Sequence, residues 1–400
     1  MEKKAKEHIL LYKILYSLLI MLLYMIGRNI PLYGVDVEAY RKVDINAQSI
    51  IMQAVSGDIK NCSIFILGLW PYMLASMLIV LVVAIITLDK SRRISPKKMN
   101  IWTVGLMFLI GVIQAYQHVQ SYIYKVDGEA LLQAKVIVFL ELITGMLIVV
   151  YMGDRATKYG ICGKTSVFMV NIVDGIMTML VSQSTDKLWI PLGIGVVEIA
   201  VMIVLENAEK RIAVQRVSIH NIHADKNYIA YKLNPIGVTP LMFASAAFLL
   251  PQSISRFLHS IFPQNATLAW VAEQMNLTSV LGIWVYLAII AILTISFSFV
   301  MLSPGQMAEN LLKSGDSILG VYAGKPTKRY LRSCVLRFSI YSSIIIGICI
   351  GVPLFLQFGG YIDPTLAMLP CSVMMSTGIW ISFAREAQVY RNMDRYQPFI

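Results

Sequence analysis

Residues Leu67 to Val82 read LGLWPYMLASMLIVLV. A hydrocarbon core needs about 20 apolar residues per helix, and this run with its flanks supplies that length. Two features are out of place in an ordinary spanning helix. Pro71 lies near its start, and Met73 and Met77 are four apart, which puts two flexible thioethers on one helix face. What that face looks at can be read only from the rest of the chain.

Charged residues make up 14% of the 400 positions and apolar residues 57%, whereas soluble domains carry about 25% charge. Mean hydropathy is +0.67. The pattern is that of a multi-pass membrane protein. Ten spans are predicted: 9–27, 64–87, 101–122, 134–152, 166–183, 188–205, 236–251, 279–301, 335–356 and 364–383. The first has no A-x-A-like site after it and is expected to be retained. With the N-terminus inside, the inner side carries 24 Lys/Arg against 8 on the other. Lys13 and Arg337 snorkel from span ends. The positive-inside rule then puts both termini in the cytoplasm. The same asymmetry accounts for most of the +11 net charge, so no nucleic-acid partner is called for.

The five cysteines, Cys62, Cys162, Cys334, Cys349 and Cys371, show neither metal spacing nor a paired framework. His220 and His223 lack a third ligand at metal spacing. GICGKT (160–165) fails the phosphate-loop pattern because Lys158 stands where the first glycine belongs, and AGKPT (323–327) lacks Ser/Thr after Lys325. Neither an enzyme nor a cofactor or metal is expected.

Glu141, Asp174 and Glu198 fall inside spans, where an acid reads first as a transport site and alternatively as an acid at a helix end or facing a wet cavity. Only Pro240 is expected to break a span centrally, with no acid near it. The loops 206–235 and 302–334 are long and mix charge with apolar residues, unlike flexible linkers. They read as a docking surface or as a pair of solvated hairpins.

Several motifs, in order, resemble the SecY-type protein-conducting channels. They are SIFILGLWPYMLAS (63–76), YMGDRATKYGICGKTS (151–166), AEKRIAVQ (208–215), LNPIGVTPLMFASAAFLLP (233–251), PGQMAENLLKSG (304–315) and GKPTKRYL (324–331). Three departures stand out. The family's GNG reads Cys162-Gly163-Lys164, its RRIP reads Lys210-Arg211-Ile212-Ala213, and the arginine of its fifth loop is Tyr322. The departures make the chain most similar to the accessory paralogue of Gram-positive bacteria, which exports glycosylated, serine-rich surface adhesins with its own motor.

The resemblance implies an all-α membrane protein, with ten transmembrane helices in two inverted five-helix halves around a central hourglass pore. The halves would be 1–183 and 184–400. It implies a pore ring of Met73, Met77, Met169, Val173, Met242 and Met375. It implies motor-binding residues Lys210, Arg211 and Arg216 in one loop, and Tyr322, Lys325, Lys328 and Arg329 in the other. A plug near 50–63 would include Gln53, Ser56, Gly57, Asp58 and Lys60, and Gln114 would border the lateral gate. Expected partners are a SecA-type ATPase, small SecE/SecG-like membrane subunits or their accessory equivalents, the preprotein and membrane lipid. The expected location is the bacterial cytoplasmic membrane. A general housekeeping channel, a secondary carrier of small solutes and a membrane scaffold remain as alternatives.

Overall fold

The computed structural model describes residues 9–36, 62–89, 95–126, 128–181, 188–216, 228–261 and 265–393. The helices in order are α1 (Ile9–Arg28), α2 (Trp70–Asp89), α3 (Pro96–Ser121), α4 (Glu129–Tyr159), α5 (Thr165–Val181), α6 (Trp189–Asn207), α7 (Thr239–Ile261), α8 (Ala266–Gln274), α9 (Val280–Leu302), α10 (Pro304–Ser314), α11 (Lys325–Phe358) and α12 (Leu369–Met393). Leaving aside the short α8 and α10, they fall on the ten predicted spans in order. Among the described residues, seven stretches are long and apolar enough to cross a membrane, and Trp70–Ala84 and Thr165–Val181 are shorter apolar helices.

The long helices carry apolar residues outward as well as inward, as membrane spans do. α1 shows why. It buries Ser17, Ile20, Tyr24, Gly27 and Arg28 along one stripe and turns Leu11, Leu15, Leu18 and Leu22 outward. The inward stripe carries the hydroxyls and the charge, because hydrocarbon offers no partner for them.

Span 2 is expected to start at 64, but α2 begins at Trp70. Residues 62–69 form successive turns, with Cys62 and Gly68 in the left-handed region (φ 39° and 50°). Pro71 therefore sits in the first turn, where its missing N–H costs nothing. The turn segment is gripped closely. A Cβ on Gly145 would lie 2.1 Å from the Ile64 carbonyl oxygen, and one on Gly27 would lie 2.0 Å from the Phe65 ring. The expected central break at Pro240 is corrected in the same way, since α7 starts at Thr239. Among the described residues, the prolines inside helices are Pro251 and Pro353.

α2 packs on α3 and reaches across to α7 and α9. α12 packs on α6 and reaches across to α5 and α1. One buried apolar cluster runs through all of these helices.

The two long loops are not separate hairpins. Three strands, β1 (Glu209–Arg216), β2 (Tyr228–Lys232) and β3 (Asp316–Ile318), form an antiparallel sheet in the order β2-β1-β3. β1 comes from the first loop and β3 from the second. Beneath the sheet lies a second buried cluster: Ile212, Tyr231 and Ile318, one from each strand, packed with Ala308 of α10 and with Leu331, Cys334 and Val335 of α11. The two loops therefore fold as one body seated on the end of α11.

Ile212→Asp would place a carboxylate in that cluster at a cost above ~2 kcal/mol. Trypsin should then cut both 206–235 and 302–334 faster, with the spanning helices still protected. Protection of 302–334 in this variant would contradict a shared core.

Candidate functional site

Met73 and Met77 lie one turn apart on α2, Met242 in the first turn of α7, and Met375 on α12. All four are buried within the one large apolar cluster, and Met169 of α5 packs against it half-buried. Val173, one turn beyond Met169, is 38% exposed and does not join the cluster. The hydroxyls near Met73 and Met242 are turned back onto the helices: Ser76 donates to the Met73 carbonyl (2.9 Å) and Ser245 to the Met242 carbonyl (2.7 Å). The methionine surface is thus left apolar.

Gln114 is half-buried on α3, which packs on α2. Its Oε1 is buried with no partner among the described residues. The expected plug residues Gln53, Ser56, Gly57, Asp58 and Lys60 lie outside the described residues. Where the chain resumes it is pinned behind α1, with the Leu32 N–H donating to the Cys62 carbonyl (2.9 Å) and the Ile64 N–H to that of Ile30 (3.1 Å).

Two of the three acids within spans have structural work. Asp174 pairs with the buried guanidinium of Arg28, tying α5 to α1. Glu141 accepts from the Tyr33 N–H at 3.0 Å. Glu198, mid-way along α6, is buried with no partner for either oxygen among the described residues.

A charged cluster at one end of the bundle has no counterpart in the sequence reading. Glu386 of α12 accepts from the Cys162 N–H at 2.8 Å, across 224 positions of chain. Its neighbour Arg385 donates to the Glu206 carboxylate at 2.6 Å and to the Glu206 carbonyl. Adjacent side chains of α12 thus hold the α4–α5 turn and the end of α6. Beside them opens a cavity of about 450 Å³ lined by Tyr72, Asp154, Cys162, Lys164 and Glu386 among others. Lys164 lies 3.5 Å from the centre of the Tyr72 ring and 2.8 Å from Asp154. Cys162 is a non-glycine residue in the left-handed region (φ 61°). Burial, reinforced by the Glu386 charge, pushes its thiol up to about 12. The adjacent Arg385-Glu386 was the available signal, but nothing local tells what such a pair holds.

The sheet body carries several of the expected basic residues on its outside. Lys210 and Arg211 are exposed on β1, Arg211 pairing with Glu209 (2.8 Å) and lying 4.8 Å from the Tyr228 ring centre. Arg216 ends β1, in register with Asp316. Tyr322 is 87% exposed in the turn before α11, and that turn is held by Thr327 donating to the Tyr322 carbonyl (2.8 Å). Lys325, Lys328 and Arg329 are exposed in the first turns of α11. The sheet thus joins the two groups in one body.

This arrangement of helices is that of the protein-conducting channels. The solved structure of a protein conducting channel superposes with a TM-score of 0.64 at 14% identity, covering 95% of this chain and 92% of that one. A structure described by the role of the SecY plug domain in stabilising the closed channel superposes at 0.60 with 15% identity, over 95% and 92% of the two chains. The SecY family model matches residues 63–382, and the chain belongs to the SecY family. Among its relatives are accessory Sec system protein translocase subunits SecY2. The one from Streptococcus agalactiae serotype Ia is 28% identical over 98% of this chain and 96% of its own length. That from Staphylococcus aureus strain N315 is 28% identical over 98% and 97%.

With its thiol titrating near 12, Cys162 stays protonated at neutral pH. In a variant keeping Cys162 as its one cysteine, maleimide alkylation should climb about tenfold per pH unit through pH 10, where an ordinary thiol has levelled off. Glu386→Gln removes a negative charge, so it should raise the rate at pH 8. A plateau by pH 9 would contradict this environment.

Proposed function

We propose that this protein is the channel subunit of an accessory Sec translocase. It passes unfolded polypeptide across the bacterial cytoplasmic membrane, driven by a SecA-type ATPase, with glycosylated serine-rich surface adhesins as cargo. Residues 1–183 and 184–400 are the two halves of the channel, both termini are cytoplasmic, and small SecE/SecG-like subunits or their accessory equivalents accompany it. The observation that carries the reading is the burial of Met73, Met77, Met242 and Met375 in one apolar cluster, with Met169 packed against it, inside a fold shared with protein-conducting channels. Val173 belongs to the ring by resemblance alone. An apolar ring resists wetting and so blocks ions. Unbranched methionine has three rotatable bonds and a polarizable sulfur, so it conforms to side chains and sugars at less cost than stiff isoleucine.

A small-solute carrier is disfavoured because Asp174 and Glu141 are engaged in ties between elements. The accessory role is favoured over the housekeeping one by the names of the relatives and by Tyr322. Tyrosine offers one hydroxyl where arginine offers a planar fork of donors, so a motor surface built for arginine would leave its acid unpaired.

The deciding assay is translocation into vesicles holding this channel. Rates should be high with the dedicated motor and ATP and low with a general SecA. Equal rates with both motors would favour the housekeeping reading, and uptake of a small solute without any motor would favour a carrier. Charge reversal at Arg211 and Lys328 together should weaken motor binding several-fold at low salt, mainly by slowing association, with the difference shrinking as salt screens the charges. Unchanged low-salt affinity would move the motor face elsewhere.

Replacing the five methionines by isoleucine should leave resting conductance low and slow glycosylated segments more than matched plain ones. Equal handling of both substrates would reduce the methionines to packing.

A further inference from the structure

The outer surface between α6 and α11 holds a groove that the channel reading does not use. Its volume is about 420 Å³. One wall is Ile194, Val197, Glu198 and Val201 of α6, and the other is Ile345, Ile348, Cys349 and Val352 of α11. Both walls have the spacing i, i+3, i+4, i+7, so the groove runs along both helices for two turns. Val197, Ile348 and Val352 stand open to the outside. Gly193 caps one end, and a Cβ there would meet nothing within 4 Å. Packing among the described residues therefore leaves that position open, and a small residue there lets another helix approach closely.

Glu198 forms the floor. It is 2% exposed and neither of its oxygens has a partner among the described residues. It is nine residues from each end of α6, or about 13 Å along the axis, beyond reach of a lipid headgroup. α6 has no basic residue, and those of α11 end at Arg337, about 16 Å of helix short of Ile348. Arg385 of the neighbouring α12 is taken by Glu206. A second copy of this chain brings no remedy either, since the basic residues within its spans lie near span ends. An acid in hydrocarbon faces the bundle interior or pairs, and this one lines a helix-sized apolar groove.

We propose that this groove docks one transmembrane helix of a companion membrane protein, and that this helix brings a lysine or arginine to mid-membrane depth to pair with Glu198. Rotation about the side-chain bonds of Glu198 presents the carboxylate to the incoming group. The inference is independent of motor, cargo and pore.

The test places a benzophenone side chain at Ile348 of the full-length protein in phosphatidylcholine vesicles. The probes are leucine-based helices of about 20 residues whose central residue is lysine, leucine or glutamate. The lysine helix should crosslink about threefold or more above the leucine helix, and the glutamate helix below it. Glu198→Gln should bring the lysine helix down to the leucine level. Val352→Trp, which fills the groove and leaves Glu198 in place, should suppress the adduct and keeps the test open should the glutamine variant fold poorly. Equal yields from the lysine and leucine helices, a lysine preference that survives Glu198→Gln, or adducts with lipid alone would each overturn the proposal. No motor is present, so the outcome is separate from that of the translocation assay.

Discussion

A chain inside hydrocarbon must satisfy every backbone amide within itself, and a channel must do so while keeping a closable path through its own middle. Helices meet the first demand and leave side chains to meet the second. The cluster that runs through α2, α5, α7 and α12 is built mainly from apolar contact, and the hydroxyls of Ser76 and Ser245 bond back to their own helices. Such contacts are individually weak and non-directional, so a seal made of them parts and re-forms without breaking any directional bond.

The directional bonds sit elsewhere. Arg28 with Asp174, Ser17 with the Ile161 backbone, and Arg385 and Glu386 with Glu206 and the Cys162 N–H each have one partner at a helix end or in a turn, and the Tyr24 hydroxyl donates to Asn171 inside the bundle. Charge-assisted bonds are stronger than neutral ones, and near the ends they avoid the full desolvation of mid-membrane. Glu198 breaks the pattern as a mid-membrane carboxyl with no tie among the described residues, which is why its groove reads as incomplete without a second protein.

The sheet body extends the logic outside the bilayer. A strand from each loop and the base of α11 share one small core. The exposed cations of both loops are thereby carried on one framework, and a large partner can grip them together.

Periodicity and composition determined a good deal. Ten apolar segments, the one-turn spacing of Met73 and Met77, the lysine and arginine asymmetry and the exclusion of a nucleotide loop all follow from short-range pattern, and all concern how a segment meets lipid or water. What needed the tertiary structure depends on residues far apart. Whether Asp174 or Glu198 is partnered depends on Arg28, 146 positions from Asp174, and on there being no hydrogen-bond partner for Glu198 among the described residues. The start of α2 at Trp70 depends on turns gripped by α1 and α4. The sheet joins strands about 100 positions apart in sequence, with strands as short as the three residues of β3, too short for any alternation to show. A sequence records the preference of each segment for its solvent, and partners at long range are fixed only when the folded chain brings them within bonding distance.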